Sequence, residues 1–115
     1  MKRMRNMNPI YSQGDVWLAK VYFKMQEQFK HRPIVIVGRD ITIDIDIIIS
    51  PITSSEPRNE FDVIIHYWKE AGLRHLSVAR TTKIHAVPRS SLIKRIGSLH
   101  EYDLQRILQK CRTLF

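Results

Sequence analysis

The stretch FKHRPIVIVGRDITIDIDIIISPITSS, residues 29–55, decides the fold. It contains two runs rich in Val and Ile, residues 33–37 and 41–49, on either side of a Gly-Arg-Asp segment at 38–40. Valine and isoleucine are restricted about χ1 and pack well on a pleated surface, so both runs predict β-strands. The break between them predicts a hairpin or a longer strand–loop–strand.

This strand pair would bring two chemically different groups to one edge of the sheet. His31 and Arg32 directly precede the first strand, whereas Thr53 and Ser54 follow the second. Because the start of one strand lies beside the end of its antiparallel neighbour, we expect a guanidinium, an imidazole and hydroxyls to meet there. This edge is where we predict the functional site.

The chain is small and strongly basic. Its 115 residues include 19 Lys and Arg against 11 Asp and Glu, a net charge of +8. That imbalance favours a polyanionic partner: nucleic acid first, an acidic protein segment second and an acidic membrane surface only third. The length fits one domain, which we expect to span residues 13–115 after a loose lead-in at 1–12.

The cysteine content and hydropathy predict the compartment. The single cysteine, Cys111, excludes an internal disulfide and suits a reducing cytosol; it is expected to be buried on the last helix. The basic N-terminus is not followed by the apolar segment of a signal peptide, and no run approaches the roughly 18 apolar residues of a membrane span. A cytoplasmic location without membrane association is therefore expected.

The remaining segments complete a small β-rich domain. Residues 16–23, 61–67 and 76–87 predict strands, and the polar residues 24–30 predict a loop ahead of the central pair. Ser98 and Glu101 have the spacing of a capping box, which predicts a helix at the end of the chain. Its apolar stripe would consist of Leu104, Ile107, Leu108 and Cys111. We predict a β-rich α+β fold in which about five or six strands curl toward a small barrel that the C-terminal helix closes.

The densest basic segment is residues 69–95. It contains seven Lys or Arg and one acidic residue, Glu70, and His75 and His85 lie in the same interval. If residues 76–87 form one strand, Arg80 and His85 point to opposite faces. Only part of the segment is therefore expected to form a single patch.

The chemistry available to this chain is metal-free. No paired histidine or cysteine spacing, glycine-rich phosphate loop or nucleophile motif is present, so neither a metal nor another cofactor is expected. Arginine, histidine and hydroxyl groups suit RNA cleavage, because RNA carries its own nucleophile, the 2′-OH. The arginine would hold charge that develops on the phosphate, and a histidine would move protons. These residues alone do not separate a ribonuclease from a non-catalytic RNA-binding barrel.

Several short motifs occur in a specific order along nearly the whole chain from Gly14 onward. They are Gly14-Asp15-Val16-Trp17, His31-Arg32-Pro33, Ser50-Pro51-Ile52-Thr53-Ser54, Gly72-Leu73, the strand near 77–84 and Lys94-Arg95-Ile96-Gly97-Ser98-Leu99. Together they resemble the MazF/PemK/Kid toxin family of type II toxin–antitoxin systems. The resemblance implies an SH3-like small barrel of the CcdB/PemK type. It further implies a homodimeric, metal-independent, sequence-specific endoribonuclease that cleaves single-stranded RNA and is silenced by an acidic antitoxin.

The resemblance also implies roles for single residues. Arg32 matches the catalytic arginine of the Arg-Pro pair, Thr53 matches a hydroxyl residue that assists at the phosphate, and Gly14 and Asp15 match a structural opening turn. Arg80 is also predicted to be catalytic. His31 and His85 are predicted for proton transfer, and Lys30, Ser54, Arg58 and Lys83 for RNA binding.

The chain departs from the family pattern on the late strand. Many members carry an acidic residue there, but residues 82–86 read Thr-Lys-Ile-His-Ala, and His85 stands where an arginine is usual. Two other interpretations therefore stay open. One is a CcdB-like DNA gyrase poison that acts by binding through its C-terminal helix, and the other is the non-catalytic RNA-binding barrel.

Overall fold

The computed structural model describes residues 11–39 and 46–115. Within these ranges the chain forms seven strands, three short 3₁₀ turns and one α-helix. The strands are β1 (Asp15–Phe23), β2 (Gln28–Ile36), β3 (Asp46–Thr53), β4 (Asp62–Ile65), β5 (Ser77–Arg80), β6 (His85–Pro88) and β7 (Leu92–Ser98). The 3₁₀ turns are Lys24–Gln26, Thr81–Lys83 and Arg89–Ser91, and the helix α1 is Glu101–Arg112.

All the strand pairs are antiparallel, in the order β4-β5-β3-β2-β1-β7, with β6 also paired to β3. The sheet is small and barrel-like but does not close, and α1 packs on one of its faces. The predicted β-rich α+β fold with a C-terminal helix is confirmed, with seven strands instead of five or six. No helix in the described part of the chain is long and apolar enough to cross a membrane.

The predicted central strand pair is present. β2 pairs with β3 through Ile34 opposite Pro51 and Ile36 opposite Ile49. Alternate residues of β2 enter two separate cores: Ile34 and Ile36 pack in a cluster with Trp17, whereas Val35 packs in a cluster with α1. A strand that is buried on both faces needs a continuous apolar run, which explains the sequence pattern. The predicted strand residues 41–45 lie outside the described residues.

The loop predicted at 24–30 is confirmed for residues 24–27 and wrong for residues 28–30, which belong to β2. β1 and β2 continue as a two-stranded ribbon as far as Phe23 opposite Gln28, and only the 3₁₀ turn and Glu27 connect them. Cross-strand contacts support this ribbon, because the Tyr22 and Phe29 rings lie 5.1 Å apart. Residue composition does not reveal such pairing, since the stabilising partner lies on the other strand.

The single strand predicted at 76–87 is also wrong, because the turn Thr81–Lys83 divides it into β5 and β6. Thr81 is fully buried there, and its hydroxyl donates to the carbonyl oxygen of Phe61 at 2.7 Å. The argument that Arg80 and His85 occupy opposite faces of one strand therefore does not apply. β7 was not predicted, since its cations and Gly97 interrupt the apolar pattern of a strand.

The capping box predicted for the helix is wrong as well. His100 is the N-cap of α1, and its Nδ1 accepts a hydrogen bond from the backbone N–H of Tyr102 at 2.9 Å. The Ser98 hydroxyl instead donates to Asp15 Oδ1. The apolar stripe is confirmed by the burial of Leu104, Ile107, Leu108 and Cys111. Burial raises the pKa of the Cys111 thiol, which keeps it uncharged at neutral pH.

The opening turn joins the N-terminal segment to the sheet and the helix. Gly14 has φ +92°, and a Cβ atom there would lie 2.9 Å from Leu104 Cδ2. The buried Asp15 carboxylate accepts hydrogen bonds from the Ser12 N–H at 2.9 Å and the Trp17 indole at 3.4 Å. The expected lead-in at 1–12 lies mostly outside the described residues; Tyr11, which is described, is buried in the cluster of Ile34 and Ile36.

Candidate functional site

A cavity of about 720 Å³ opens where β2 and β3 meet, at the sheet edge predicted from the sequence. Its walls come from β1 and β2, from the end of β3, from the segment before β5 and from β7. The lining residues are Leu18, Arg32, Pro33, Ile52, Thr53, Ser54, Gly72, Leu73, Arg74, His75, Ser77, Lys94, Arg95 and Ile96.

The cavity is cationic. Four of its described lining residues, Arg32, Arg74, Lys94 and Arg95, carry positive charge. The lining includes no Asp or Glu among the described residues. Three more lining residues, Thr53, Ser54 and Ser77, carry hydroxyls. Such a concentration of one charge in a concave surface attracts anions, and fixed hydrogen-bond donors can hold phosphate oxygens.

Arg32 contributes a guanidinium that is free of acidic partners within residues 11–39 and 46–115. It lies on β2 opposite Ala19, is exposed, and donates from Nη1 to the carbonyl oxygen of His31 at 2.9 Å. The guanidinium carbon also lies 5.5 Å from the centre of the Phe23 ring. These contacts are weak enough for an anion to replace them.

Thr53 and the hydroxyls after it come from the end of β3. Thr53 pairs with Val78 of β5, which holds its backbone in the sheet. Its hydroxyl accepts a hydrogen bond from the Ser55 N–H at 3.2 Å and donates to the Ser55 hydroxyl at 3.3 Å. This local turn holds the Thr53 hydroxyl at the sheet edge.

The segment between β4 and β5 supplies a wall that the sequence reasoning missed. It begins where the fully buried Asp103 carboxylate of α1 accepts hydrogen bonds from the N–H groups of His66 and Tyr67, at 3.0 and 2.9 Å. Further on, Gly72 has φ +88°, and a Cβ atom there would lie 2.6 Å from the carbonyl oxygen of Ile96 in β7. This close approach brings Arg74 and His75 into the cavity wall. The dense basic segment at 69–95 was the only sequence signal for them.

Arg80 and Arg58 lie away from this cavity, beside Asp62. Arg80 Nη1 is 2.9 Å from Asp62 Oδ2, and Arg58 Nε is 3.5 Å from the same oxygen. The Asp62 side chain is wholly buried and that of Arg80 is 15% exposed. Arg80 therefore neutralises a desolvated carboxylate.

His85 and Lys83 are also remote from Arg32. His85 lies on β6, where it pairs with Ile49 of β3, and its Nδ1 lies 2.9 Å from the carbonyl oxygen of Lys83. It lines a different, largely apolar cavity beside Ile48 and Leu108. The structure thus does not bring His85 together with Arg32 and Thr53.

Lys30 and His31 lie on the ribbon next to Arg32 but do not line the cavity. His31 is exposed opposite Lys20, and Lys30 Nζ lies 4.8 Å from the centre of the Phe23 ring. Of the residues predicted for catalysis or RNA binding, Arg32, Thr53 and Ser54 are brought together.

Among the described residues, no group of three or more His, Cys, Asp or Glu side chains has an arrangement that would hold a metal ion.

An open, barrel-like antiparallel sheet followed by a C-terminal helix is the fold that this chain shares with several solved structures. An endoribonuclease in complex with its cognate antitoxin, from a mycobacterial species, has a TM-score of 0.72 at 13% identity, covering 90% of this chain and 92% of that one. MazF from Deinococcus radiodurans has a TM-score of 0.71 at 18% identity, covering 93% and 97%. The Mycobacterium tuberculosis toxin MazF-mt6 has a TM-score of 0.64 at 21% identity, covering 84% and 90%.

The family assignment follows from the sequence comparison. The family of PemK-like, MazF-like toxins of type II toxin–antitoxin systems matches residues 12–115. The chain belongs to this family, and the resemblance found in its motifs is confirmed. No curated protein matches the sequence.

Proposed function

We propose that this toxin is a metal-independent endoribonuclease that cleaves single-stranded RNA by attack of the 2′-oxygen on the adjacent phosphorus. The observation that carries the proposal is the meeting, in one cavity lined by cations, of a strand-end threonine and an arginine that has no acidic partner among the described residues. Similar folds belong to proteins described as endoribonucleases, which supports the same reaction class.

In this reaction the O2′–P bond forms while the P–O5′ bond breaks, which leaves a 2′,3′-cyclic phosphate and a free 5′-hydroxyl. Negative charge accumulates on the non-bridging phosphate oxygens. The Arg32 guanidinium would hold this charge through two parallel hydrogen bonds, and the Thr53 hydroxyl would add a third donor. The Ser54 hydroxyl and the remaining cations of the cavity, Arg74, Lys94 and Arg95, would bind the neighbouring phosphates.

The partners proposed for this chain follow from its charge and its structural neighbours. Solved neighbours include complexes of MazE with MazF and of a mycobacterial endoribonuclease with its antitoxin. We propose that an acidic antitoxin segment lies over the cationic cavity of this protein, that the toxin is a homodimer and that it acts in the cytoplasm. Sedimentation as a stable monomer at micromolar concentration would contradict the dimer.

The decisive experiment is cleavage of a long, largely unstructured RNA in the presence of EDTA. The natural protein is expected to make discrete cuts, and Arg32→Ala is expected to slow them by about 100- to 1,000-fold, as for loss of one transition-state donor. Arg112→Ala is the matched control, because it removes the same charge from an exposed position on α1.

Each other outcome has a defined meaning. If both proteins leave the RNA intact, the nuclease proposal fails and a gyrase supercoiling assay tests the CcdB-like alternative. If both cut equally, the chemistry is present but Arg32 does not take part in it. RNA that binds tightly without being cut would indicate the non-catalytic barrel.

A further inference from the structure

We propose that His75 is the general base of the reaction, the group that takes the proton from the attacking 2′-hydroxyl. This inference rests on the proposed endoribonuclease function. It answers a question that the family pattern leaves open in this chain, since the late strand lacks a carboxylate and His85 lies in another cavity.

Few side chains in the cavity can accept a proton. A general base needs an unshared electron pair that is basic enough to accept a proton near neutral pH. Arginine and lysine side chains are charged donors without an acceptor, and serine and threonine hydroxyls are very weak bases. Among the described residues that line the cavity, His75 is the only other polar side chain. It is therefore the only lining group suited to this step.

The position of His75 combines a fixed backbone with a free ring. Its carbonyl oxygen accepts a hydrogen bond from the Ser77 hydroxyl at 2.7 Å, which ties it to the first residue of β5. Upstream, the Asp103 carboxylate and the close approach of Gly72 to β7 hold the same segment. His75 is exposed and its imidazole has no hydrogen-bond partner within the described residues, so both ring nitrogens are available to a ligand.

The step balances as follows. A neutral His75 imidazole accepts the 2′-hydroxyl proton while the O2′–P bond forms and the P–O5′ bond breaks. The departing 5′-oxygen carries away the electron pair of that bond and takes a proton from solvent. The His75 imidazolium then returns its proton to solvent, and the enzyme is regenerated.

The test is the pH profile of kcat/KM for cleavage of a short RNA substrate, comparing the natural protein with His75→Ala and His75→Gln. The natural enzyme is expected to gain activity as pH rises through the range in which imidazoles change charge, about pH 5 to 8. Both variants are expected to be about 100-fold slower or more and to lose this rising limb of the pH profile. Added imidazole should partly restore the Ala variant and bring back a pH-dependent limb.

Binding and folding controls separate catalysis from a structural role. His75→Ala is expected to keep the affinity for a 2′-deoxy analogue of the substrate, which cannot be cut, and to keep the melting temperature. The matched controls, His31→Ala and His85→Ala, are expected to retain the limb. Loss of affinity as large as the loss of rate would make His75 a binding residue and overturn the proposal.

Failure of this inference can be told apart from failure of the proposed function. If Arg32→Ala abolishes cleavage but His75→Ala retains both rate and pH limb, the endoribonuclease stands and His75 is not its base. If the natural protein does not cut RNA at all, the proposed function fails and this inference fails with it.

Discussion

Two arginines, Arg32 and Arg80, end in opposite electrostatic situations. Arg32 lines a cavity that has no carboxylate among its described lining residues, whereas Arg80 Nη1 lies 2.9 Å from the buried carboxylate of Asp62. The two arginines differ in whether a carboxylate lies beside the guanidinium. An arginine that already balances a desolvated carboxylate contributes to folding, whereas an arginine without such a partner can bind a phosphate.

The same contrast extends to the residues around each arginine. Two buried carboxylates have arginine partners: Asp62 is paired with Arg80, and Asp103 Oδ1 lies 3.2 Å from Arg106 Nη1. Around Arg32, the cations Arg74 and Lys94 have no carboxylate within salt-bridge distance among the described residues. Arg95 is the exception in the cavity, since its Nη2 lies 3.5 Å from Asp15 Oδ1. The cavity still holds cations that lack a carboxylate partner among the described residues, whereas Arg80 is paired.

The largest effect on folding is expected from Arg80→Ala. Without Arg80, the buried Asp62 carboxylate keeps only Arg58, a half-exposed partner at 3.5 Å, so the free energy of unfolding should fall by about 3 kcal/mol. Urea denaturation measures this loss. Arg58→Ala serves as control, and it should cost well under half as much, because that side chain is 51% exposed. An Arg80 variant as stable as the natural protein would contradict the claim that Arg80 stabilises the fold.

Asp103→Asn is expected to have the next largest effect, about 2 kcal/mol, because charge-assisted hydrogen bonds to a buried carboxylate are weakened. The variant also loosens the segment that carries Arg74 and His75. Its cleavage rate should therefore fall along with its stability, whereas Arg80→Ala should keep the rate of the folded protein. Thermal unfolding and RNA cleavage at low temperature would measure the two effects.

Lys94→Ala is expected to act on binding without acting on folding. Each phosphate contact that is lost lowers the slope of log K against log salt by about 0.7 for a single strand. Fluorescence titrations of a 2′-deoxy oligonucleotide at several salt concentrations measure this slope. Arg112→Ala, which removes an exposed charge that does not line this cavity, should leave the slope unchanged. Equal slopes for all three proteins would mean that Lys94 does not contact phosphate.

The smallest effect is expected for the stability of Arg32→Ala. An exposed arginine without an ion pair should change the free energy of unfolding by no more than about 0.5 kcal/mol. Urea denaturation beside Arg80→Ala makes the contrast direct. A destabilisation comparable to that of Arg80→Ala would show that Arg32 also holds the fold together.

Local sequence patterns predicted the elements whose stability is itself local. The continuous apolar run of β2 and the apolar stripe of α1 were readable because each residue type matches its place in a strand or helix. The start of β2 in the two-stranded ribbon could not be predicted, because its polar residues are ordered by partners on β1. The break at Thr81 depends on the carbonyl oxygen of Phe61, which is 20 residues away.

The sequence by itself determined the central strand pair, the terminal helix, the basic charge and the sheet edge at which Arg32 and Thr53 meet. These follow from residue type and from the geometry of an antiparallel pair. Only the tertiary structure decided which cations remain free, because that depends on where buried carboxylates such as Asp62 come to lie. It also decided that His75 joins the cavity, through a close approach of Gly72 to β7 that no local pattern encodes.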